Sequence, residues 1–356
     1  MQGKRRYAYI DNMKFAACIL VALGHLFMSL QANSVLPQSD FLTYLKETLY
    51  TFHVPIFFVC SGFLYQKSCR VTSFKGYKKE LPRKLLDLGV PYVVFTSATL
   101  ILKLFFENDV TTKASPFLDT LIMHPTAPYW FLYSLFLMFL LIPCMKTMKG
   151  AYILFFASFA IKIIYTAFEG SEIIILPKNA FLLFLFLRVE SFCNSAVWFC
   201  GGMLLSFLDE EKIKKSAKAL SPVLFISAMA LSIYIFYTRR QLNITSQFII
   251  GMLFVLFTVI SAIAFSPEAL NRVSFKFSDY FMPVFIMHTM CAAPLRIILL
   301  KLGIASFIPH LIAGLIGSIL IPTVIYIICK KLTPLMFFFY PTKTIKLLKR
   351  KKNEQN

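Results

Sequence analysis

"YIDNMKFAACILVALGHLF", residues 9–27, is apolar enough for the interior of a bilayer and yet carries Asp11, Lys14 and His25. The run is too long for the apolar core of a cleavable signal, and no small-x-small cleavage pattern follows before further apolar runs arrive. It therefore reads as a transmembrane helix. The whole chain supports this: 58% of its 356 residues are hydrophobic and 39 are Phe, far beyond what a soluble domain with a polar surface carries.

Apolar runs long enough for a hydrocarbon core of roughly 30 Å fall at 8–29, 42–65, 87–106, 129–147, 151–168, 180–207, 219–237, 246–265, 281–302 and 306–330. The expectation is an all-α integral membrane protein, a bundle of about ten transmembrane helices, in which only the fifth run is short enough to question. No link is long enough for a soluble domain. Residues 1–332 read as one transmembrane domain and 333–356 as a basic cytoplasmic tail.

The formal net charge of +20 does not point to nucleic acid, because the cations gather in alternate loops instead of on one face. Lys4, Arg5 and Arg6 precede the first run; Lys67, Arg70, Lys75, Lys78, Lys79, Arg83 and Lys84 follow the second. Lys212, Lys214, Lys215 and Lys218 follow the sixth, and Lys343, Lys346, Lys349, Arg350, Lys351 and Lys352 populate the tail; Arg239 and Arg240 are the main exception. The positive-inside rule puts both termini in the cytoplasm, as an even number of spans requires, and the surplus charge faces anionic lipid. The eight cysteines show no metal-ligand spacing and suggest no disulfide framework. No metal is expected.

From Lys14 to His25 is eleven residues, so on a helix the two lie about 20° apart and roughly 16 Å apart along the axis. Asp11 falls near the same face. One polar stripe climbs from the headgroups toward mid-membrane, and ionisable groups there mark a functional site by default. In the second run, "TFHVPIFFVCSGFLY" (51–65), His53 lies beside Pro55, with Ser61 and Gly62 farther toward the cytoplasm. Two histidines at similar depth on consecutive helices form a proton-handling pair. The basic segment "KKELPRKLLDLGVPY" (78–92) follows, with Arg83 and Lys84 before the third run. Cations at the mouth and histidines at depth suit a long anionic ligand that enters head-last.

Arg188 and Glu190, two apart in the sixth run, point in different directions and should each find a partner on another helix or line an acceptor path. "WFCGG" (198–202) reads as close helix packing. His124 and His310 fall near the outer surface and read as solvated.

The order "YIDNMKFAACILVALGH", "FHVPIFFVCSGFL", "PRKLL", "VPY", "YWFL" (129–132) and "YFMPVFIMH" (280–288) resembles the membrane-bound acyltransferase 3 family over nearly the whole chain. The Asp-Asn-hydrophobic-Lys opening looks most like its fucose 4-O-acetylase-like branch. The resemblance implies transfer of an acyl group, usually acetyl from cytoplasmic acetyl-CoA, to a hydroxyl of a cell-surface or lipid-linked glycan, in a bacterial cytoplasmic membrane. Many members carry Arg where Lys14 stands, eleven residues before the essential histidine; Lys14 keeps the charge without the bidentate fork. On this basis His25 is the expected catalytic group, as general base or as nucleophile through an acetyl-imidazole. His53 would stabilise the oxyanion or receive the acceptor, and Ser61 would donate a hydrogen bond near the thioester. Lys14, Arg83 and Lys84 would hold CoA phosphates, with Asp11 orienting Lys14. Trp130, Arg188, Glu190 and His288 are the candidates for the acceptor path. The rival reading is a proton-coupled transporter or glycan flippase, in which the same residues form a proton relay.

Overall fold

The computed structural model describes residues 6–68, 74–110, 113–169, 177–239 and 241–355. Lys4, Arg5, Arg70 and Arg240, and the side chains of Lys75, Lys79, Lys351 and Lys352, lie outside what it describes. The helices in chain order are α1 (Ala8–Ala32), α2 (Asp40–Ser68), α3 (Phe74–Phe105), α4 (Phe117–Ile122), α5 (Trp130–Leu141), α6 (Met148–Glu169) and α7 (Ala180–Leu205). There follow α8 (Glu210–Arg239), α9 (Ile244–Ala264), α10 (Glu268–Phe277), α11 (Phe281–Lys301), α12 (Phe307–Lys331), a 3-10 turn (Thr333–Phe338) and α13 (Pro341–Gln355). Among the described residues there is no strand, and nine helices are long and apolar enough to cross a membrane: α1, α2, α3, α6, α7, α8, α9, α11 and α12. In lipid only such a helix satisfies its own backbone, so the apolar runs have little alternative.

The short member is the fourth run and not the fifth. The α6 helix has 22 residues, whereas α5 has 12. Pro143 is the cause: a residue before proline is pushed out of the α region, and Ile142 is already extended at φ −105° and ψ 110°. The backbone that leaves the helix here is taken up by side chains. Tyr65 donates to the Ile142 carbonyl at 3.1 Å, Gln66 Nε2 donates to the Met145 carbonyl at 2.7 Å, and Met145 N–H donates to Gln66 Oε1 at 3.0 Å.

Both chain ends meet the α10–α11 link. Arg6 donates to the Phe275 carbonyl at 3.3 Å and lies 3.9 Å over the Phe275 ring, while Lys343 Nζ stands 3.8 Å from Asp279 Oδ1. The two ends thus share one face of the bundle, which requires an even number of crossings. Against the expectation of about ten, nine described helices are long and apolar enough to cross, and α5, at 12 residues, is a shorter apolar helix.

Several links are more ordered than the sequence suggests. Arg83 and Lys84 belong to α3, which starts at Phe74, well before the apolar run. The α10 helix lies between two apolar runs, and it holds the start of α1: Asn12 Nδ2 donates to Asn271 Oδ1 at 2.7 Å, and Ser274 donates to Asn12 Oδ1 at 2.6 Å. The tail docks too. The Thr342 hydroxyl donates to Asp87 Oδ1 at 2.7 Å, and Met336, Phe339 and Thr344 are buried. Cys144, in the link after α5, is disulfide-bonded, against the expectation of no disulfide; its isolated place in the sequence gives no hint of it. Cys18, Cys60, Cys193, Cys200 and Cys291 are free and buried.

At the centre stands α2, which packs on α7, α1 and α9. Its contacts run through glycines. A Cβ at Gly62 would fall 1.9 Å from the Phe199 carbonyl oxygen, and one at Gly202 would fall 1.9 Å from that of Val59. Each helix therefore presses a bare backbone against the other, the close approach that small residues permit in membranes. Gly201 is different, because its Cβ would meet only the Phe155 ring at 3.4 Å. Gly202→Ala is expected to cost about 1–3 kcal/mol or more and to lower the thermal midpoint of the detergent-solubilised protein, with Gly201→Ala close to wild type.

Candidate active site

His25 projects from α1, and its ring lies 5.1 Å from that of His288 on α11. On its other side, His25 Nδ1 is 3.3 Å from the Tyr50 hydroxyl of α2, and the Tyr50 ring is 4.8 Å from the His53 ring. Three histidines and a tyrosine thus converge from three helices. His53 and His288 are fully buried, at 0% and 1% exposure. The sequence pairs His25 with His53 by depth; the structure adds His288, which had been assigned to the acceptor path, to the same cluster. It also adds Tyr50, which nothing in the spacing had marked.

Hydrogen bonding fixes which nitrogen carries the proton. His53 Nδ1 faces the Leu49 carbonyl at 2.5 Å, and His288 Nδ1 faces the Phe285 carbonyl at 2.7 Å. A carbonyl only accepts, so both Nδ1 atoms are N–H donors and each Nε2 presents a lone pair. Both Nε2 atoms are buried without a partner. The Tyr50 hydroxyl lies between His25 Nδ1 at 3.3 Å and Met28 Sδ at 3.5 Å, and it can donate to or accept from the imidazole. His53 and His288 therefore have Nε2 free as a base. Of the two roles open to His53, this tautomer disfavours the oxyanion donor and suits the acceptor of a hydroxyl proton.

His25 and His288 line a cavity of about 120 Å³ between α1, α11 and α12, together with Ser29, Thr289, Ala292 and Ser318. Position 288 is fixed from behind by the "YWFL" segment: Tyr129, fully buried, donates to the Ile286 carbonyl at 3.0 Å and accepts from the Thr99 hydroxyl at 2.8 Å. Trp130, beside it, is half-buried against the core.

Other expected residues are placed elsewhere. Ser61 is half-buried eight residues after His53, roughly 12 Å along the helix, and does not join the cluster. Asp11 accepts from Arg6 Nε at 2.5 Å, so it orients Arg6, with Lys14 half-buried close by. A second cavity of about 300 Å³ opens at that end of α1, walled by Tyr7, Tyr9 and Phe63 with Lys67, Asp209 and Glu210. Arg83 pairs with Glu80 at 2.6 Å on the exposed start of α3, and Lys84 lies 4.3 Å over the Phe139 ring. Arg188 donates to the Met123 carbonyl at 3.1 Å and stacks on Tyr133, while Glu190 meets Tyr165. These are separate neighbours, as the two-residue spacing demands. Lys162 is held by Asn194. His310 is not solvated: it is 1% exposed, with Nε2 on the Ile304 carbonyl at 2.8 Å, whereas His124 is exposed and paired with Asp119.

A family described as "Acyltransferase domain", acyltransferase 3, matches residues 7–327. No curated protein and no solved structure matches the chain. Because the Tyr50 hydroxyl is the hydrogen-bond partner of His25 Nδ1, Tyr50→Phe is expected to lower turnover about tenfold, the worth of one such hydrogen bond. The midpoint of thermal unfolding should stay near wild type, and the two measurements together check the assignment.

Proposed function

The chain belongs to the acyltransferase 3 family, and from that premise we propose that it is a membrane-embedded O-acetyltransferase. It takes acetyl from cytoplasmic acetyl-CoA and delivers it to a hydroxyl of a cell-surface or lipid-linked glycan, in a bacterial cytoplasmic membrane. The opening "YIDNMK" supports the fucose 4-O-acetylase-like branch. The observation that carries the reading is the convergence of His25, His53 and His288, with Nε2 of His53 and of His288 left as a lone pair and His25 and His288 around a cavity.

His25 is the general base. Its Nε2 removes the proton of the acceptor hydroxyl as the oxygen attacks the thioester carbonyl; the C–S bond then breaks, and the imidazolium returns the proton to the departing CoA sulfur. When the Tyr50 oxygen accepts from Nδ1–H, Nε2 is free at the moment of attack. His288, across 5.1 Å, orients the acceptor hydroxyl by accepting from a neighbouring hydroxyl or water.

The donor enters from the basic face. Tyr7, Tyr9 and Phe63 offer flat walls to an adenine ring, and Asp209 and Glu210 are acceptors for its amine. Lys14, Arg83 and Lys84 supply positive charge for the phosphates. The pantetheine arm then runs up α1 toward His25.

Release of free CoA thiol from acetyl-CoA by purified protein, with and without a crude glycan extract of the host, tests this reading. His25→Ala is expected to cut release by about 10²–10⁴-fold while the protein stays folded. No CoA binding and no release by folded wild type would overturn it in favour of a transporter. Arg83→Glu is expected to raise KM for acetyl-CoA with kcat unchanged, since it removes attraction that is equal in ground and transition states. An unchanged KM would confine phosphate binding to the Lys14 and Lys67 side.

A further inference from the structure

Arg296 is a charge that the reaction above does not use. It lies on α11 eight residues after His288, two turns and roughly 12 Å farther along the axis. That direction leads away from the face where both chain ends lie. The side chain is 8% exposed, so it does not reach for headgroups at the lipid boundary. It points inward instead, with Nη1 hydrogen-bonded to Ser29 Oγ of α1. Its Nε is buried without a partner, and among the described residues no carboxylate pairs with it.

Lys162 has Asn194 and lies over the Phe248 ring; half-buried Arg188 also keeps an unpartnered Nε, but it has the Met123 carbonyl and the Tyr133 ring. A buried guanidinium with one hydroxyl partner and no counter-ion is otherwise costly to keep in a membrane. Space for one lies next to it, in a cavity that Arg296 itself does not line but its partner Ser29 does. Thr289, Ala292 and Ala293 line the His25–His288 cavity, and Arg296 continues their helical face at the i+3, i+4 and i+7 positions. Ser29, which touches Arg296, lines the same cavity one turn beyond His25.

We propose that Arg296, with Ser29, is an oxyanion subsite for the acceptor, which therefore bears a phosphate or a carboxylate within about two helical turns of the hydroxyl that receives the acetyl group. The guanidinium fork takes two oxygens of such a group in parallel. The anion is bound from the side opposite the donor. This inference rests on the acyltransferase reading for the identity of the ligand as acceptor, while the binding of an oxyanion stands apart from it.

The experiment measures thermal stabilisation of the full chain in nanodiscs of zwitterionic phosphatidylcholine, without acetyl-CoA, by glucose 1-phosphate, glucuronate and glucose. Either anion, and not glucose, is expected to raise the midpoint of wild type by several degrees in a saturable way. Arg296→Gln should weaken the apparent affinity by at least about 30-fold. Should that variant fail to fold, Arg296→Lys keeps the charge without the fork and is expected to bind weakly but measurably. No shift with either anion, or an equal shift in the variants, overturns the proposal. So does stabilisation that appears only when phosphatidylglycerol replaces phosphatidylcholine, because Arg296 then holds a lipid headgroup. Loss of CoA release in wild type with anion binding intact would remove the acyltransferase reading and leave an anion site in place.

Discussion

Two helices, α2 and α7, touch backbone to backbone, and the arrangement of the bundle follows from that contact. Gly62 faces the Phe199 carbonyl and Gly202 faces that of Val59, with no room at either point for a methyl group. Lipid offers no hydrophobic drive for helices to associate, so close packing must hold them, and it is strongest where side chains are missing. The contact fixes the rotation of α2 about its axis. A third glycine, Gly251 of α9, sits against the Thr51 carbonyl on another side of α2. With α2 so held, Tyr50 and His53 have one direction in which to point, and that direction is toward α1 and α11.

Polar groups inside the bundle are handled in two ways. Most are tied off: Ser134 to Ser191, Ser221 to Ser261, Lys162 to Asn194, and the extended backbone after α5 to Tyr65 and Gln66. Others are left open: Nε2 of His53, Nε2 of His288 and Nε of Arg296, and also one atom each of Thr48, Thr96, Thr166, Arg188, His310 and Tyr326. Buried polar atoms without partners are costly and rare. His288 lines the cavity that Ser29, the hydrogen-bond partner of Arg296, also lines, so two of these open atoms belong to one neighbourhood.

How much was legible can be judged residue by residue. His25 stands out in the sequence because it shares one helical face with Lys14, eleven residues before it, and has His53 at similar depth on the next run, whereas alone it reads equally well as a residue bonded to a neighbouring helix. The role of "WFCGG" in packing was legible as well, but not which glycine makes the contact; Gly201 and Gly202 differ only in which way α7 is turned. Asp11 was expected on Lys14 because both lie on one stripe, yet Arg6, just outside the helix, reaches it first. His310 looked solvated from its place near a helix start and is capped by the carbonyl of Ile304 in the preceding turn. The fourth run hid its break, since hydropathy continues smoothly through Pro143 while the backbone cannot.

The sequence by itself determined that the chain is a bundle of apolar helices, that charge divides its two faces, and that the helix of His25 is not ordinary lipid-facing structure. These are local properties: hydropathy over a run, the sign of a loop, the period of one helix. Only the tertiary structure decided that His288 and Tyr50 join His25, that Ser61 does not, and that Arg296 stands near the same cavity without a counter-charge. Those facts depend on how α1, α2, α11 and α12 are rotated against one another, and the rotation is set by contacts between residues as far apart in the chain as Ser29 and Arg296.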